Sequence, residues 1–202
     1  MATTLSGRID EMLSDTGEES PPSSSPSVRG MWAWTILRIL LGWSFMWAFL
    51  DKTFGLGFAT CRAEDSSQID FFCDSAMING GSPTYGVFEF GTEGSHTGFL
   101  FSWMASSGPD SIGWADVGFM AAMLFGGLAL MLGIATRWAA IGGALMMVLM
   151  FFALDVWPPN NPVTSSHVIE FFVFLGIATV GPGTFALQGW FERTFPPLKF
   201  LR

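Results

Sequence analysis

Positive charge is scarce in this chain. Nine residues are Lys or Arg against seventeen Asp or Glu, and the formal net charge is −8. Lysine occurs only at Lys52 and Lys199. Binding nucleic acid needs a basic surface facing the phosphates, so this balance argues against such a partner. Histidine is equally rare, present only as His96 and His167. That is a poor supply for a haem held by axial ligands on facing helices. The two cysteines, Cys61 and Cys73, cannot hold a four-cysteine iron–sulfur cluster. No Gly-x-Gly-x-x-Gly or Walker sequence occurs, so no flavin or nucleotide motif is present. His167 with Glu170 is too small a donor set for a metal. A chain of this kind that moves electrons must use a quinone directly, a thiol pair or a partner subunit.

Charged residues make up only 13% of the chain, while half of it is hydrophobic. That is too apolar for an ordinary soluble domain. The apolar residues come in blocks at 31–54, 115–135, 138–156 and 167–187. Each approaches the roughly 20 residues that a helix needs to cross a bilayer. The expectation is an all-α integral membrane protein, a bundle of four transmembrane helices within residues 31–190. Residues 1–30 carry Asp10, Glu11, Asp15, Glu18 and Glu19 without an apolar core, which is unlike a signal peptide. With the Pro/Ser run at 21–27 they read as a disordered acidic tail, and 191–202 as a short C-terminal tail. An acidic, lysine-poor surface suits a high-salt cytoplasm and hence a halophilic, archaeal source.

Orientation follows from basic residues near the membrane ends. Arg8, Arg29, Arg137, Arg193, Lys199 and Arg202 fall on one side of a four-span arrangement, and only Lys52 and Arg62 on the other. Both termini are therefore expected in the cytoplasm of a multi-pass cell-membrane protein. Thr136 and Arg137 mark a tight hairpin between the second and third spans, which makes these spans antiparallel neighbours. Small residues at four-residue spacing (Ala122 with Gly126, Ala129 with Gly133, Ala139 with Gly143, Ala140 with Ala144) suit close helix packing in lipid. The connection at 55–114 is too long to lack structure and is expected to cap the extracytoplasmic end. Within it, residues 99–104 suit a short helix on the interface.

Cys61 and Cys73 both fall in this outer connection, where disulfides are permitted. A structural bridge, a redox-active pair and free thiols are all compatible with their spacing, which is not Cys-x-x-Cys. Arg38 lies about two turns inside the first span and should face the interior, toward a polar or acidic partner. Asp51, Lys52, Asp155, Asn160, Asn161, His167 and Glu170 would converge at the outer mouth. A satisfied polar rim at the water boundary would gather the same residues.

Several segments resemble the DoxX/DoxD family. Arg38-Ile39-Leu40-Leu41-Gly42 and Phe49-Leu50-Asp51-Lys52 are similar to its first span. Gly81-Ser82-Pro83-Thr84-Tyr85-Gly86 is similar to the outer connection of the DoxD branch. The run from Leu132 through Thr136 and Arg137 to Ala140 resembles the family's hairpin. Asn160-Asn161-Pro162, with His167 after it, resembles the approach to its fourth span. The resemblance covers about 29–190. It implies a four-helix membrane fold and, for the DoxD branch, the membrane subunit of a thiosulfate:quinone oxidoreductase. Quinone would be a substrate, and a DoxA-like or other membrane partner subunit would complete the enzyme. On that reading Lys52, helped by Arg62, attracts thiosulfate. Asp51, His167 or Glu170 handles the quinone's protons. Arg38, Trp47, Asp155 and Asn161 are the further substrate or quinone contacts, with Trp43 and Phe171 beside the ring. Three other readings stand beside it: a non-catalytic scaffold of a respiratory or redox complex, a small transporter, and a thiol:quinone oxidoreductase using Cys61 and Cys73.

Overall fold

A computed structural model describes residues 28–62, 70–92, 95–105, 107–156 and 164–194. The described residues contain helices and turns and no strand. Helix α1 is Val28–Phe54, α2 is Trp114–Leu132, α3 is Thr136–Met150, α4 is Ser166–Val180 and α5 is Gln188–Thr194. A π-helical turn, Phe151–Asp155, extends α3. The acidic tail expected at 1–30 overlaps the start of α1, and its first 27 residues lie outside the described set.

Three helical stretches are long and apolar enough to cross a membrane: Gly30–Phe54, Trp114–Leu132 and Thr136–Leu154. Within them only about a fifth to a third of the residues are buried inside the protein. Large side chains such as Ile36, Leu40, Phe125, Leu145 and Phe172 point outward. In water so much exposed apolar surface would be costly, and a helix apolar all round needs an apolar solvent. This is a membrane protein.

The fourth block is shorter than the expected 167–187. Helix α4 has 15 residues, a rise of about 22 Å, against a hydrocarbon core of about 30 Å. It stops because Gly181 takes φ +83° and is followed by Pro182 and Gly183. Proline disfavours helical backbone in the residue before it and cannot continue the hydrogen-bond ladder. The second block also ends early, at Leu132. Gly133 adopts the left-handed conformation with its N–H on the carbonyl of Ala129, a common glycine cap. The Gly133–Ala135 turn then leads directly into α3.

The core joins all four long helices. Phe45 of α1, Leu130 of α2, Ala140, Ala144 and Met147 of α3, and Phe174 and Ile177 of α4 form one buried cluster. Phe45 and Phe174 meet with ring centroids 5.4 Å apart. The α1–α2 crossing is made by Gly42 and Gly127: a β-carbon on Gly42 would lie 2.9 Å from the carbonyl oxygen of Gly127, and one on Gly127 would lie 2.9 Å from that of Gly42. Only glycine allows this approach, the usual role of small residues in membrane packing.

Arg38 is buried near the end of the bundle that holds the α2–α3 turn. Its guanidinium donates to the carbonyls of Leu130 and Met131 and, at 3.0 Å, to that of Phe185. The polar partner expected for it is thus a set of main-chain oxygens, not a carboxylate. The last carbonyls of a helix have no partner within the helix and carry the negative end of its dipole, which suits a cation. Leu187 N–H donates to Leu132 O, and Thr35 meets Thr184 at 3.1 Å. These bonds tie the 181–187 stretch to α1 and α2.

Candidate functional site

The opposite end is organised by the connection between α1 and α2. Its described part contains short helical turns at Met77–Asn79, Val87–Gly91, Gly98–Leu100 and Ser102–Met104. The interfacial helix expected at 99–104 is therefore two separate turns. Asp51, in the last turns of α1, is almost fully buried. One carboxylate oxygen accepts the N–H of Phe58 at 3.0 Å, and the other accepts those of Ala59 and Thr60 at 2.9 and 3.0 Å. Three main-chain donors converge on a single carboxylate, which shapes the 58–60 turn. The adjacent Lys52 donates to the carbonyl of Pro83 at 3.3 Å. Trp47 packs edge-on against Phe58, with centroids 4.9 Å apart. Cys61 and Cys73 form a disulfide with Cα atoms 5.6 Å apart.

A second buried carboxylate completes this framework, and it was not among the residues singled out from the sequence. Asp116, in the first turn of α2, is fully buried. Its Oδ1 accepts Ser82 Oγ at 2.8 Å, Thr84 N–H at 2.9 Å and Thr84 Oγ1 at 2.7 Å. Its Oδ2 accepts the N–H of Gly113 at 2.7 Å, covering the first residue before the helix. The Gly81–Thr84 segment is thereby fixed to α2 by Asp116 and to α1 by Lys52. The available signal was an acidic residue in the third position of a helix, the position from which a side chain reaches back to the residue before the first turn.

Two cavities lie near this end. The smaller, about 200 Å³, is a cleft between α3 and α4. His167 lines it together with Phe151, Phe152, Phe171 and Phe172. The larger, about 310 Å³, lies between α2 and α3 beneath the connection. Phe88, Phe101 and Met104 of the connection close it on one side. Arg38, Trp47, Asp51, Lys52 and Glu170 line neither cavity. Asp51 and Lys52 thus engage the connection, while His167 and the half-buried Glu170 belong to α4. The side chain of Asp155 and the whole of Asn160 and Asn161 fall outside the described residues. Among the described residues no group of three or more His, Cys, Asp or Glu is arranged to hold a metal ion.

The stretch from 33 to 155 matches the DoxX family. The chain belongs to the DoxX family. The match runs from α1 through the π-helical turn after α3, so it contains Arg38, both buried carboxylates, the disulfide and the larger cavity. It stops before His167 and Glu170. No curated protein and no solved structure matches the chain. Membership agrees with the apolar helices in making this DoxX protein a membrane protein, and leaves its activity to direct argument.

Proposed function

We propose that this DoxX-family protein is the membrane subunit of a quinone-linked oxidoreductase of the DoxD type, with thiosulfate as donor at the outer face. On this reading α4, though short, is the fourth span, and both termini are cytoplasmic. The observation that carries the proposal is the α3–α4 cleft, where His167 sits among Phe151, Phe152, Phe171 and Phe172. A quinone ring is flat and apolar apart from its carbonyl oxygens. Aromatic walls suit the ring, and His167 is the one polar side chain on the cleft's lining, from which a turn of its ring would bring a nitrogen to the carbonyl.

Oxidation of a thiosulfate pair to tetrathionate releases two electrons. With two protons these convert a quinone to its quinol. In this scheme His167 delivers a proton to the quinone oxygen from the water boundary, with Glu170 one turn further along α4. Lys52 and the exposed Arg62 supply the positive charge that draws a dianion toward the outer face. Asp51 positions the 58–60 turn. DoxA-like or other partner subunits would bind the assembled protein in the membrane.

The test is quinol formation by the protein in proteoliposomes and in native membranes, with and without thiosulfate, with tetrathionate measured in parallel. Thiosulfate-dependent turnover that falls about a hundredfold in His167→Ala supports the proposal, that being the usual scale for losing a general acid. Turnover unchanged in that variant would remove the cleft from the scheme.

A second reading is a non-catalytic scaffold of a redox complex. It is favoured by the employment of Asp51, Lys52 and Asp116 in holding the connection, which leaves few polar groups for chemistry. Co-purification with oxidase subunits, without intrinsic quinone reduction in either preparation, would select it.

A further inference from the structure

The larger cavity is separate from the His167 cleft and plays no part in the scheme above. Its walls include Phe101, Met104, Trp114, Phe119, Leu145 and Leu149. No lining residue carries a charge, a hydroxyl or a carboxamide. Apart from the indole N–H of Trp114, the walls offer a polar group no side-chain partner for the water it would lose, so they select hydrocarbon. The helices on either side, α2 and α3, are both long and apolar enough to cross a membrane, which puts the cavity within reach of lipid.

The 98–104 segment has two apolar sides. Phe101 and Met104 face the cavity. Phe99, Leu100 and Trp103 face outward, with 73%, 53% and 68% of their surface exposed. Trp103 stacks on Trp114, the first residue of α2, with centroids 5.3 Å apart. The outward side therefore continues the lipid-facing surface of α2, and the segment forms a thin apolar wall between that surface and the cavity.

Gly118 and Gly142 line the cavity from opposite helices, and a β-carbon on either would meet no atom within 4 Å. A larger side chain at either position would therefore enter the open space. An apolar cavity of about 150 Å³ accepts one benzene, so one of about 310 Å³ accepts roughly a dozen carbons.

We propose that this cavity holds one hydrocarbon chain of a membrane lipid, admitted sideways beneath the 98–104 segment, while the headgroup stays at the water boundary. The lipid is a resident ligand that fills the connection end of the α2–α3 pair.

Photocrosslinking tests this. The full chain is reconstituted in vesicles of phosphatidylcholine and phosphatidylglycerol that contain a trace of phosphatidylcholine with a diazirine in its acyl chain. Labelled residues are mapped after irradiation. The wild type should carry label on Phe101 and Met104, and also on the outward-facing Phe125 and Leu128 of α2. Gly142→Phe, which fills the cavity, should lose the label on Phe101 and Met104 and keep it on Phe125 and Leu128. Gly142→Ala, which adds one methyl, should keep both. Retained label on Phe125 and Leu128 shows that each variant is inserted, and Gly118→Leu gives an independent filling variant if Gly142→Phe fails to insert. Label on Phe101 and Met104 that persists in the filled variants overturns the proposal. So does its absence from the wild type. Displacement of that label by an isoprenoid quinone would overturn it in favour of a quinone tail.

Discussion

Replacing Asp116 by asparagine keeps the shape of the side chain and changes only its charge and hydrogen bonding. The carboxylate accepts four bonds, three of them on Oδ1. Asparagine does best by leaving its carbonyl oxygen where Oδ1 was. Its amide nitrogen then faces the N–H of Gly113, donor against donor. A buried donor without an acceptor costs about 1–3 kcal/mol. The three remaining bonds lose their charge assistance, roughly half their strength. Cheaper burial of the neutral amide offsets part of this, leaving a net loss of about 3 kcal/mol. The loss falls on the tie between Gly81–Thr84 and α2, so it should appear as local opening. Amide hydrogen exchange by mass spectrometry, on the protein in lipid, is the assay. Exchange at Thr84 should accelerate about a hundredfold in Asp116→Asn, with the α3–α4 core unchanged. An acceleration under about threefold would refute the reasoning, because the carboxylate would then contribute no more than its shape.

Other outcomes follow from the same packing. Arg38→Lys replaces a fork that spans the carbonyls of Leu130 and Phe185 by a point charge, and should lower stability by about 2 kcal/mol, read as faster proteolysis near 181–187. Gly42→Val drives a branched side chain into the backbone of Gly127 and should destabilise by about 1–3 kcal/mol, read as a lower thermal midpoint in lipid. Cys61→Ser removes the link to Cys73 across a separation of 12 residues; for a loop of that size the loss is about 3 kcal/mol. If the bridge is only structural, quinone reduction measured at low temperature should survive that change.

The apolar blocks were legible because lipid imposes length and hydropathy on a helix regardless of its partners. Their ends were less so. The stop at Val180 was signalled by Gly181-Pro182-Gly183, yet the apolar residues beyond it extended the block to 187. On α3 the small-residue spacing located the packed face, with Ala140, Ala144 and Gly143 against the core and Phe174; on α2 it pointed to Gly126 and Gly133, whereas the closest α1–α2 approach is made by Gly127 with Gly42. A four-residue repeat identifies a candidate stripe, but the partner helix decides which stripe is used. Arg38 was visible as an interior cation, but its carbonyl partners lie more than 90 residues away in sequence and have no side-chain signature. Asp116 was missed for the same reason: the Ser82 and Thr84 that it holds lie more than 30 residues earlier. At the site, adjacency along one end of the bundle suggested a single cluster. Instead Asp51 and Lys52 turn to the connection, and His167 to the α3–α4 cleft.

The bonds made by Arg38 and its neighbours and the open space beside α2 and α3 lie at opposite ends of the bundle. At the end with the α2–α3 turn, Arg38, Thr35 and Leu187 brace α1, α2 and the stretch after α4 against one another. At the other end α2 and α3 are separated by open apolar space. The bundle's spare volume therefore lies at one end only, so a guest between α2 and α3 meets the connection and not the Arg38 brace.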